Sequence, residues 1–287
     1  MALRGKKPEH VQKRLKALFF GEAGAGKTTA AIQMPGPYLI DTEKGSENEQ
    51  YVRLIEAAGG AVYKENNFDE IVREVTSLLS EKHPYKTLII DPITTVYDDL
   101  IEKCEKKVGT EFGRHYGEAK KQWKRLALLL MRLDMNVVIT SHQKNLYAPG
   151  AAMQVTGKTF DGPKGLDYMF DLVFEVTKRG AGDRAERVGV VRKTRIEAFP
   201  EGEVFPFCYQ EIASRYGREV LERDSVAQEL ATPDQIRAIT EGLDARKDGQ
   251  DLLEKWLTKA DAETLAEMPR DAAAKCVAFL MKGTVAA

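Results

Sequence analysis

One eight-residue segment constrains this chain more than any other feature. Gly21 to Thr28 reads GEAGAGKT and fills every fixed position of the pattern G-x4-G-K-[S/T]. An apolar run, Leu15–Phe20, precedes it and a helix-compatible segment follows it, which predicts a strand, a glycine loop and a helix. In that setting the loop amides surround a phosphate, and glycine is needed where a Cβ would collide. The segment therefore predicts a P-loop, and a glycine-rich turn that binds nothing is the alternative.

The P-loop also assigns roles to side chains. Lys27 is expected to reach the β- and γ-phosphates, and the hydroxyl of Thr28 is expected to ligate Mg²⁺. The predicted cofactors are therefore ATP and Mg²⁺. The predicted nucleotide-binding residues are Gly21, Glu22, Ala23, Gly24, Ala25, Gly26, Lys27, Thr28 and Thr29.

A second residue on the metal side follows a neighbouring strand. The run Thr87–Asp91 reads TLIID, so a buried strand carries Asp91 to the carboxyl edge of the sheet, where it can bind a water of the Mg²⁺ shell. Capping of the next helix is the alternative role for Asp91.

Many P-loop proteins place an acid directly after this aspartate, but Pro92 closes that option. The other arrangement is a glutamate beyond the strand that follows the P-loop helix, and the run Tyr38–Glu43 supplies Glu43.

Alternating apolar and amphipathic segments predict the fold class. Further strand-length apolar runs are Tyr38–Ile40, Thr87–Ile90 and Val137–Thr140. Segments with helical spacing are Glu49–Ala58, Phe68–Leu79, Val96–Val108 and Ala119–Leu133. Apolar strands that alternate with helices favour an α/β fold, with a mostly parallel sheet covered on both faces. Three later runs in close succession predict an antiparallel extension: Phe170–Thr177, Val188–Val191 and Val204–Tyr209.

The chain divides into three predicted parts. Residues 1–14 form an N-terminal arm, 15–224 the ATPase core, and 225–287 a small helical C-terminal domain. Thr232, followed by Pro233, begins the first of three short helices. These are expected at about Asp234–Leu243, Gln250–Leu257 and Arg270–Met281. The C-terminal part has a formal charge of about −3 and the rest about +2, so the near-neutral total of −1 does not exclude local binding of nucleic acid.

Composition places the chain among ordinary globular proteins. It is 43% hydrophobic and 30% charged. The longest apolar stretch, Leu126–Met131, is far shorter than the roughly 20 residues of a membrane span. The N-terminus does not read as a secretory signal. The three cysteines lie far apart with no CxxC pair, which disfavours disulfides and a zinc site and favours a reducing cytoplasm: Cys104, Cys208 and Cys276.

Four segments, in this order and at these separations, resemble the RecA-type ATPase core: GEAGAGKT, YLIDTE, TLIID and VVITSHQ. The resemblance spans about Leu15–Phe207. The chain resembles phage-encoded RecA-core proteins that act in single-strand annealing and recombination more closely than it resembles RecA or archaeal RadA. The resemblance implies a RecA-like P-loop NTPase core in which Glu43 orients the attacking water. It also implies that His142 senses the γ-phosphate, where the family commonly has glutamine, so catalysis would rest on Lys27, Glu43 and His142. An exposed acid and a structural histidine are the alternatives.

Two segments stand where the family has DNA-binding loops. More than 20 residues after His142 lack clear periodicity, which is unusual inside a compact domain. The predicted DNA contacts in this second loop are Lys144, Tyr147, Lys158, Phe160 and Lys164. Val108–Gly117 stands at the first loop and supplies Arg114 and His115. For each residue, a solvated loop without a nucleic-acid role is the alternative.

The strand Arg187–Arg195 ends in three cations: Arg192, Lys193 and Arg195. The resemblance implies that cations here reach the ATP of a neighbouring subunit, although the spacing is offset by about one residue. A solvated sheet edge is the alternative. A contact of this kind between subunits implies a head-to-tail homo-oligomer, either a filament or a ring.

The resemblance and the motifs together predict an ATP- and Mg²⁺-dependent recombinase that binds single-stranded DNA and promotes annealing or strand pairing, with DNA-stimulated hydrolysis. Its expected partners are single-stranded DNA, further copies of itself and, by resemblance only, a single-strand-binding protein, but no membrane. The expected location is the cytoplasm, that of a bacterial host if the protein is phage-encoded. The alternatives are a nucleotide-gated oligomeric switch and a hexameric helicase-type motor. A small-molecule kinase is disfavoured because no arginine-rich lid segment follows the core.

Overall fold

The chain forms ten strands and eleven α-helices in a computed structural model that describes residues 7, 12–148, 150, 154–180, 182 and 185–284. The strands are β1 Lys16–Phe20, β2 Pro37–Asp41, β3 Ala61–Lys64, β4 Thr87–Asp91, β5 Asn136–Ser141, β6 Gln143–Tyr147, β7 Val155–Phe160, β8 Leu172–Arg179, β9 Glu186–Thr194 and β10 Val204–Pro206. The helices are α1 Lys27–Ile32, α2 Glu49–Ala57, α3 Phe68–Ser80, α4 Ile93–Val108, α5 Arg114–Arg132, α6 Leu166–Met169, α7 Tyr209–Tyr216, α8 Arg218–Glu222, α9 Pro233–Asp244, α10 Gly249–Lys259 and α11 Arg270–Thr284.

An eight-stranded sheet organises the larger part of the chain. Its order is β10-β9-β8-β1-β5-β4-β2-β3. The six strands from β8 to β3 run parallel to their neighbours, and β9 and β10 extend the sheet antiparallel. The predicted α/β fold class is therefore confirmed, with a mostly parallel sheet, an antiparallel extension and a helical C-terminal region. Strand β5 lies between β1, which leads into the P-loop, and β4, which ends at Asp91.

Both faces of the sheet are covered, because successive residues of a strand point to opposite faces. In β1, Leu18 and Phe20 belong to the apolar cluster formed with α3, α4 and α5. Ala17 and Phe19 belong to the cluster on the other face, with α1 and α7. This two-sided burial explains why the central strands read as continuous apolar runs.

Two segments differ from their predicted conformation. The stretch after His142 is a two-stranded antiparallel hairpin, β6–β7, which we call the hairpin. Its residues are mostly exposed on both faces, so they leave no alternating hydrophobic pattern to detect. Residues 114–117 were expected in a loop, but they form the first turn of α5. Gly113, with a φ of 70°, ends the preceding turn and lets the helix begin there.

The C-terminal helices α9 to α11 bury a small apolar cluster of their own, which includes Ile239, Leu243 and Met268. A capping box, in which Thr232 and Gln235 bond each other's backbone, begins α9. The unit attaches to α5 by polar contacts. Arg125 Nε lies 2.5 Å from Oε1 of the buried Glu267. The predicted helical C-terminal region is therefore present and packed against the core.

Arg14, the last residue of the predicted N-terminal arm, belongs to the core, whereas Lys7, Gln12 and Lys13 are exposed. Residues 1–6 and 8–11 lie outside the described residues. Arg14 is buried, its Nε lies 3.0 Å from Asp134 Oδ1, and it donates to the carbonyls of Val220 and Arg223. Arg14 therefore ties the start of β1 to the segment that follows α8. None of the helices within the described ranges is long and apolar enough to cross a membrane.

Candidate nucleotide-binding site

The P-loop lies between β1 and α1, as the sequence predicts. A Cβ on Gly21 would come 2.2 Å from the carbonyl oxygen of Val176, so only glycine allows β8 to approach the loop this closely. Lys27 folds over the loop, and its Nζ donates to the carbonyls of Gly21 at 2.9 Å and Glu22 at 3.0 Å. Burial lowers the pKa of Lys27, and the nearby Asp91 opposes that shift. The ammonium group thus lies at the mouth of the loop, where phosphates bind.

The two predicted metal residues are in direct contact. Thr28 Oγ1 donates to Asp91 Oδ2 at 2.5 Å, and the hydroxyl of Thr140, on β5, donates to Oδ1. Removal from water raises the pKa of Asp91, although both hydroxyls and Lys27 oppose the shift. A hydroxyl and a carboxylate at the carboxyl edge of the sheet are hard oxygen donors of the kind that Mg²⁺ takes. These residues therefore fit a Mg²⁺ ion.

The loop after β2 carries Glu43, and Asp41 holds that loop in shape. The buried carboxylate of Asp41 accepts the backbone N–H groups of Glu43 at 3.3 Å, Gly45 at 3.1 Å and Ser46 at 2.8 Å. Thr42 Oγ1 donates to the carbonyl of Pro92 at 2.9 Å. These bonds fix Glu43 next to the end of β4, where its half-exposed carboxylate is open to water.

Glu43 and His142 lie side by side. Glu43 Oε1 is 3.3 Å from His142 Nε2, and it also accepts a hydrogen bond from Thr95 Oγ1 at 3.0 Å. His142 is the residue between β5 and the hairpin, and its backbone N–H donates to Thr94 Oγ1 at 3.2 Å. The first turn of α4 therefore positions both predicted catalytic side chains. It also links them to the hairpin.

The base of the hairpin contacts the P-loop. Lys158, on β7, forms an ion pair with Glu22 and lowers the pKa of that carboxyl group together with Gln143. Lys144, on β6, lies 3.0 Å from Asp161 Oδ1. Two of the predicted DNA-binding lysines are therefore paired with acids of the same chain.

The other predicted DNA-binding residues have different environments. Tyr147 is 53% exposed on the hairpin, and Lys164 is exposed beyond it. Phe160 is partly buried, with its ring 6.5 Å from that of Phe20. Arg114 is exposed and pairs with Glu111.

His115 is only 5% exposed and packs against the ring of Tyr116, 4.0 Å away. It lies in the first turn of α5 and not in a loop, and its side chain faces inward, while its contact with DNA stays a prediction. Direct contact with DNA would need this turn to open.

Of the three predicted trans cations, Lys193 and Arg195 lie at the end of β9 that is opposite to the P-loop of their own chain. Arg192 lies nearer to the loop, because its partner Glu175 pairs with Phe20, the residue before Gly21. Thr194 pairs with Leu172, at the start of β8, whereas the P-loop follows the opposite ends of the parallel strands. Arg192 pairs with Glu175. The Nζ of Lys193 donates to the carbonyls of Asp167 and Phe170, and Arg195 donates to that of Tyr168. The trans contact of these cations with the nucleotide of a neighbouring subunit stays a prediction.

Sequence reasoning missed several residues of the site. Asp41 and Thr140 are polar residues at the carboxyl ends of central strands, and that position is a signal that could have found them. Thr95 is in the helix after Asp91 and carries no comparable signal. Arg187 lies against the P-loop because of the register of β8 and β9, which the sequence does not give.

One protein family matches this chain over most of its core. A protein-family model described as an AAA domain matches residues 13–196, more than half of the chain. Among solved structures, the chain is similar to a KaiC-like protein of the hyperthermophilic archaeon Pyrococcus horikoshii OT3. The identity is 17% and the TM-score is 0.40, and the match covers 67% of this chain and 84% of the other. No curated protein matches the chain significantly.

Proposed function

The chain belongs to the AAA domain family, and from that premise we propose that it hydrolyses ATP with Mg²⁺ and uses the nucleotide to control binding of single-stranded DNA. Lys27 binds the β- and γ-phosphates, and Thr28 and Asp91 hold the metal. Mg²⁺, when bound, neutralises charge on the phosphate oxygens. Glu43 accepts a hydrogen bond from the attacking water and orients it toward the γ-phosphate.

The contact between Glu43 and His142 carries this proposal. It supports a direct link between the water-orienting carboxylate and the root of the hairpin, because one imidazole bonds Glu43 while its own backbone begins β6. If the γ-phosphate binds His142 or the water held by Glu43, the contact between these two side chains changes as well. Hydrolysis would reverse that change, so ATP and ADP would hold the hairpin differently.

The composition of the hairpin supports single-stranded DNA as the ligand. It combines lysines with apolar side chains that are about half exposed: Leu146 at 51%, Tyr147 at 53% and Val155 at 50%. Lysines attract phosphates, and exposed rings and aliphatic groups contact unstacked bases. We therefore propose that the protein promotes annealing or strand pairing, as a phage-type RecA-like recombinase would.

Head-to-tail assembly completes the proposal. Lys193 and Arg195 lie at the end of β9 opposite to their own P-loop, so a filament or ring would bring them to the ATP of the next subunit, with Arg192 beside them. Many copies aligned on one strand would add their small hairpin contacts together. The near-neutral charge of a single chain is compatible with that mode of binding.

One observation favours a second candidate, a nucleotide-gated oligomeric switch without DNA. Lys144 and Lys158 are already neutralised by Asp161 and Glu22, which lowers the positive potential of the hairpin. In this reading the hairpin would report the nucleotide to a neighbouring subunit instead.

ATP hydrolysis with and without single-stranded DNA tests the proposal. We expect Mg²⁺-dependent hydrolysis that rises when oligo(dT) is added and falls again as salt is increased. Lys27→Ala, which removes the phosphate-binding ammonium, is the matched inactive control. An ATP hydrolysis rate that does not change when DNA is added, together with ATP-dependent assembly, would favour the oligomeric switch. No hydrolysis in either condition would contradict the proposed ATPase activity.

A further inference from the structure

An arginine outside all the recognised motifs lies directly against the P-loop. Arg187 is the second residue of β9, and a Cβ placed on Gly26 would come 2.2 Å from its Nε and 2.8 Å from its Cζ. Gly26 also has a φ of +94°, which side chains other than hydrogen rarely tolerate. The guanidinium group therefore occupies space that exists only because residue 26 is glycine.

This guanidinium has no partner in the part of the chain that the structure describes. Its Nε is buried and makes no hydrogen bond with any described group. The residue directly opposite Arg187 on β8 is Lys178, which is another cation. Like charges at paired positions of a sheet repel, and a buried donor without an acceptor is costly. The two cations at the P-loop are thus arranged for an anion that none of the described residues provides.

The position of Arg187 in the sheet indicates which part of a nucleotide it meets. Asp91 is on β4 and Glu43 follows β2, both on one side of β1, whereas β9 lies on the other side. Four strand spacings separate β9 from β4, or roughly 19 Å at the usual distance between strands. Arg187 therefore approaches the loop from the side away from the metal and the attacking water.

We propose that Arg187 is a nucleotide ligand of its own subunit, and that it pairs with the α- and β-phosphates that ATP and ADP share. The inference rests on the proposed binding of ATP by the P-loop, and it adds a cation distinct from Lys27 and from the three cations directed at a neighbouring subunit. A contact made equally with substrate and product strengthens binding of both without lowering the barrier to hydrolysis. Arg187 is thus a binding residue and does not act in the chemical step.

Equilibrium binding of ADP and ATP to the full chain tests this assignment. Arg187→Met keeps much of the side-chain volume and removes the charge, whereas Arg187→Lys keeps the charge and removes Nε. We expect Arg187→Met to weaken binding of both nucleotides by a similar factor, roughly 10- to 100-fold, as loss of a charge-assisted hydrogen bond does. We expect Arg187→Lys to lose less, and kcat at saturating ATP to stay near the wild-type value.

Arg179→Met is the matched control. Arg179 pairs with Glu186, one position along from Arg187, so it points to the opposite face of the sheet. We expect this variant to bind both nucleotides as the wild type does. Thermal unfolding of each variant shows whether it is folded. If Arg187→Met does not fold, the binding measurements on Arg187→Lys serve as the test.

Three outcomes would overturn the assignment. Unchanged affinity for ADP in a folded Arg187 variant would show that no phosphate contact exists. Loss of ATP binding with ADP binding intact would place the contact on the γ-phosphate. If the wild-type chain bound neither nucleotide, the proposed function itself would fail, and the inference with it. Weaker binding of both nucleotides by Arg187→Met, with unchanged binding by Arg179→Met, is the result that supports it.

Discussion

Oε1 of Glu43 lies 3.3 Å from Nε2 of His142, and both side chains are about half exposed. Glu43 is fixed by the loop that Asp41 holds, and His142 is the last residue before the hairpin. The contact therefore joins the end of β2 to the start of β6 across the edge of the sheet where the P-loop lies. In the proposed mechanism, this contact connects the hairpin to the γ-phosphate.

Replacing Glu43 by Gln is expected to abolish hydrolysis and leave nucleotide binding intact. The amide keeps the size of the side chain and the contact with Thr95, but it is a poor acceptor of a proton. We expect kcat to fall roughly 100- to 10,000-fold, measured as phosphate release at saturating ATP. Glu47→Gln, which changes an exposed acid paired with Lys64, should hydrolyse normally. Equal rates in the two variants would remove Glu43 from the mechanism.

Changes at His142 should separate hydrolysis from its coupling to the hairpin. His142→Gln keeps a side chain that can hydrogen-bond both Glu43 and a phosphate, so we expect ATP to go on controlling the hairpin. His142→Ala removes the link, so protease cleavage within the hairpin should become the same with ATP and with ADP. If cleavage of His142→Ala still differed between the nucleotides, the coupling would run through another residue.

Asp91→Asn should stabilise the fold while it abolishes hydrolysis. Burial raises the pKa of Asp91, so the folded chain binds a proton more tightly than the unfolded chain, and the ionised form destabilises the fold at neutral pH. Removing the charge should raise the unfolding free energy by about 1 kcal/mol and Tm by about 2–4 °C. As the pH falls toward the raised pKa, protonation of Asp91 should increase the unfolding free energy of the wild type. Asp91→Asn should show no such increase. A lower Tm for Asp91→Asn would contradict this reading.

Glu22→Gln should release Lys158 from its ion pair with the P-loop. The pair is exposed, so its effect is small and screened by salt. We expect affinity for oligo(dT) without nucleotide to rise roughly two- to fivefold at low salt. Lys158→Gln should bind no better than wild type. Tighter binding in both variants would show that the pair does not mask the hairpin.

The contact between Arg125 and Glu267 should hold the C-terminal helices on α5. Glu267 is 2% exposed, so removing Arg125 takes the cation from its Oε1 and leaves the buried carboxylate with the backbone N–H of Glu263 on Oε2. We expect Arg125→Met to lower the unfolding free energy by about 2–3 kcal/mol, measured by urea denaturation. Lys124→Met, which removes a more exposed neighbour from α5, should change it by less than about 0.5 kcal/mol. Similar losses in the two variants would argue against a role for the buried pair.

The sequence predicts the parts of this protein that local chemistry determines. The P-loop needs glycines at fixed spacing, and β4 and β5 are buried on both faces, so each leaves a clear pattern. Asp91 and Glu43 follow such strands and could be placed at the carboxyl edge for that reason. The structure brings Thr28 and Asp91 together as that logic requires.

Residues that depend on register and on exposed structure could not be predicted in the same way. The hairpin is exposed on both faces, so its strands carry no hydrophobic alternation. His115 is buried because α5 begins at Arg114, a boundary set by Gly113 and not by an apolar repeat. Arg187 reaches the P-loop only through the pairing of β8 with β9, which is a property of the folded sheet.

Binding of single-stranded DNA in different nucleotide states tests the central claim most directly. Fluorescence anisotropy of a labelled oligo(dT) would be followed with Mg²⁺ and a non-hydrolysable ATP analogue, with ADP, and without nucleotide. We predict tight, salt-sensitive binding with the analogue and weak binding in the other two states. His142→Ala should show the same weak binding in all three. Equal affinity of the wild-type protein in every nucleotide state, or no binding at all, would contradict this prediction.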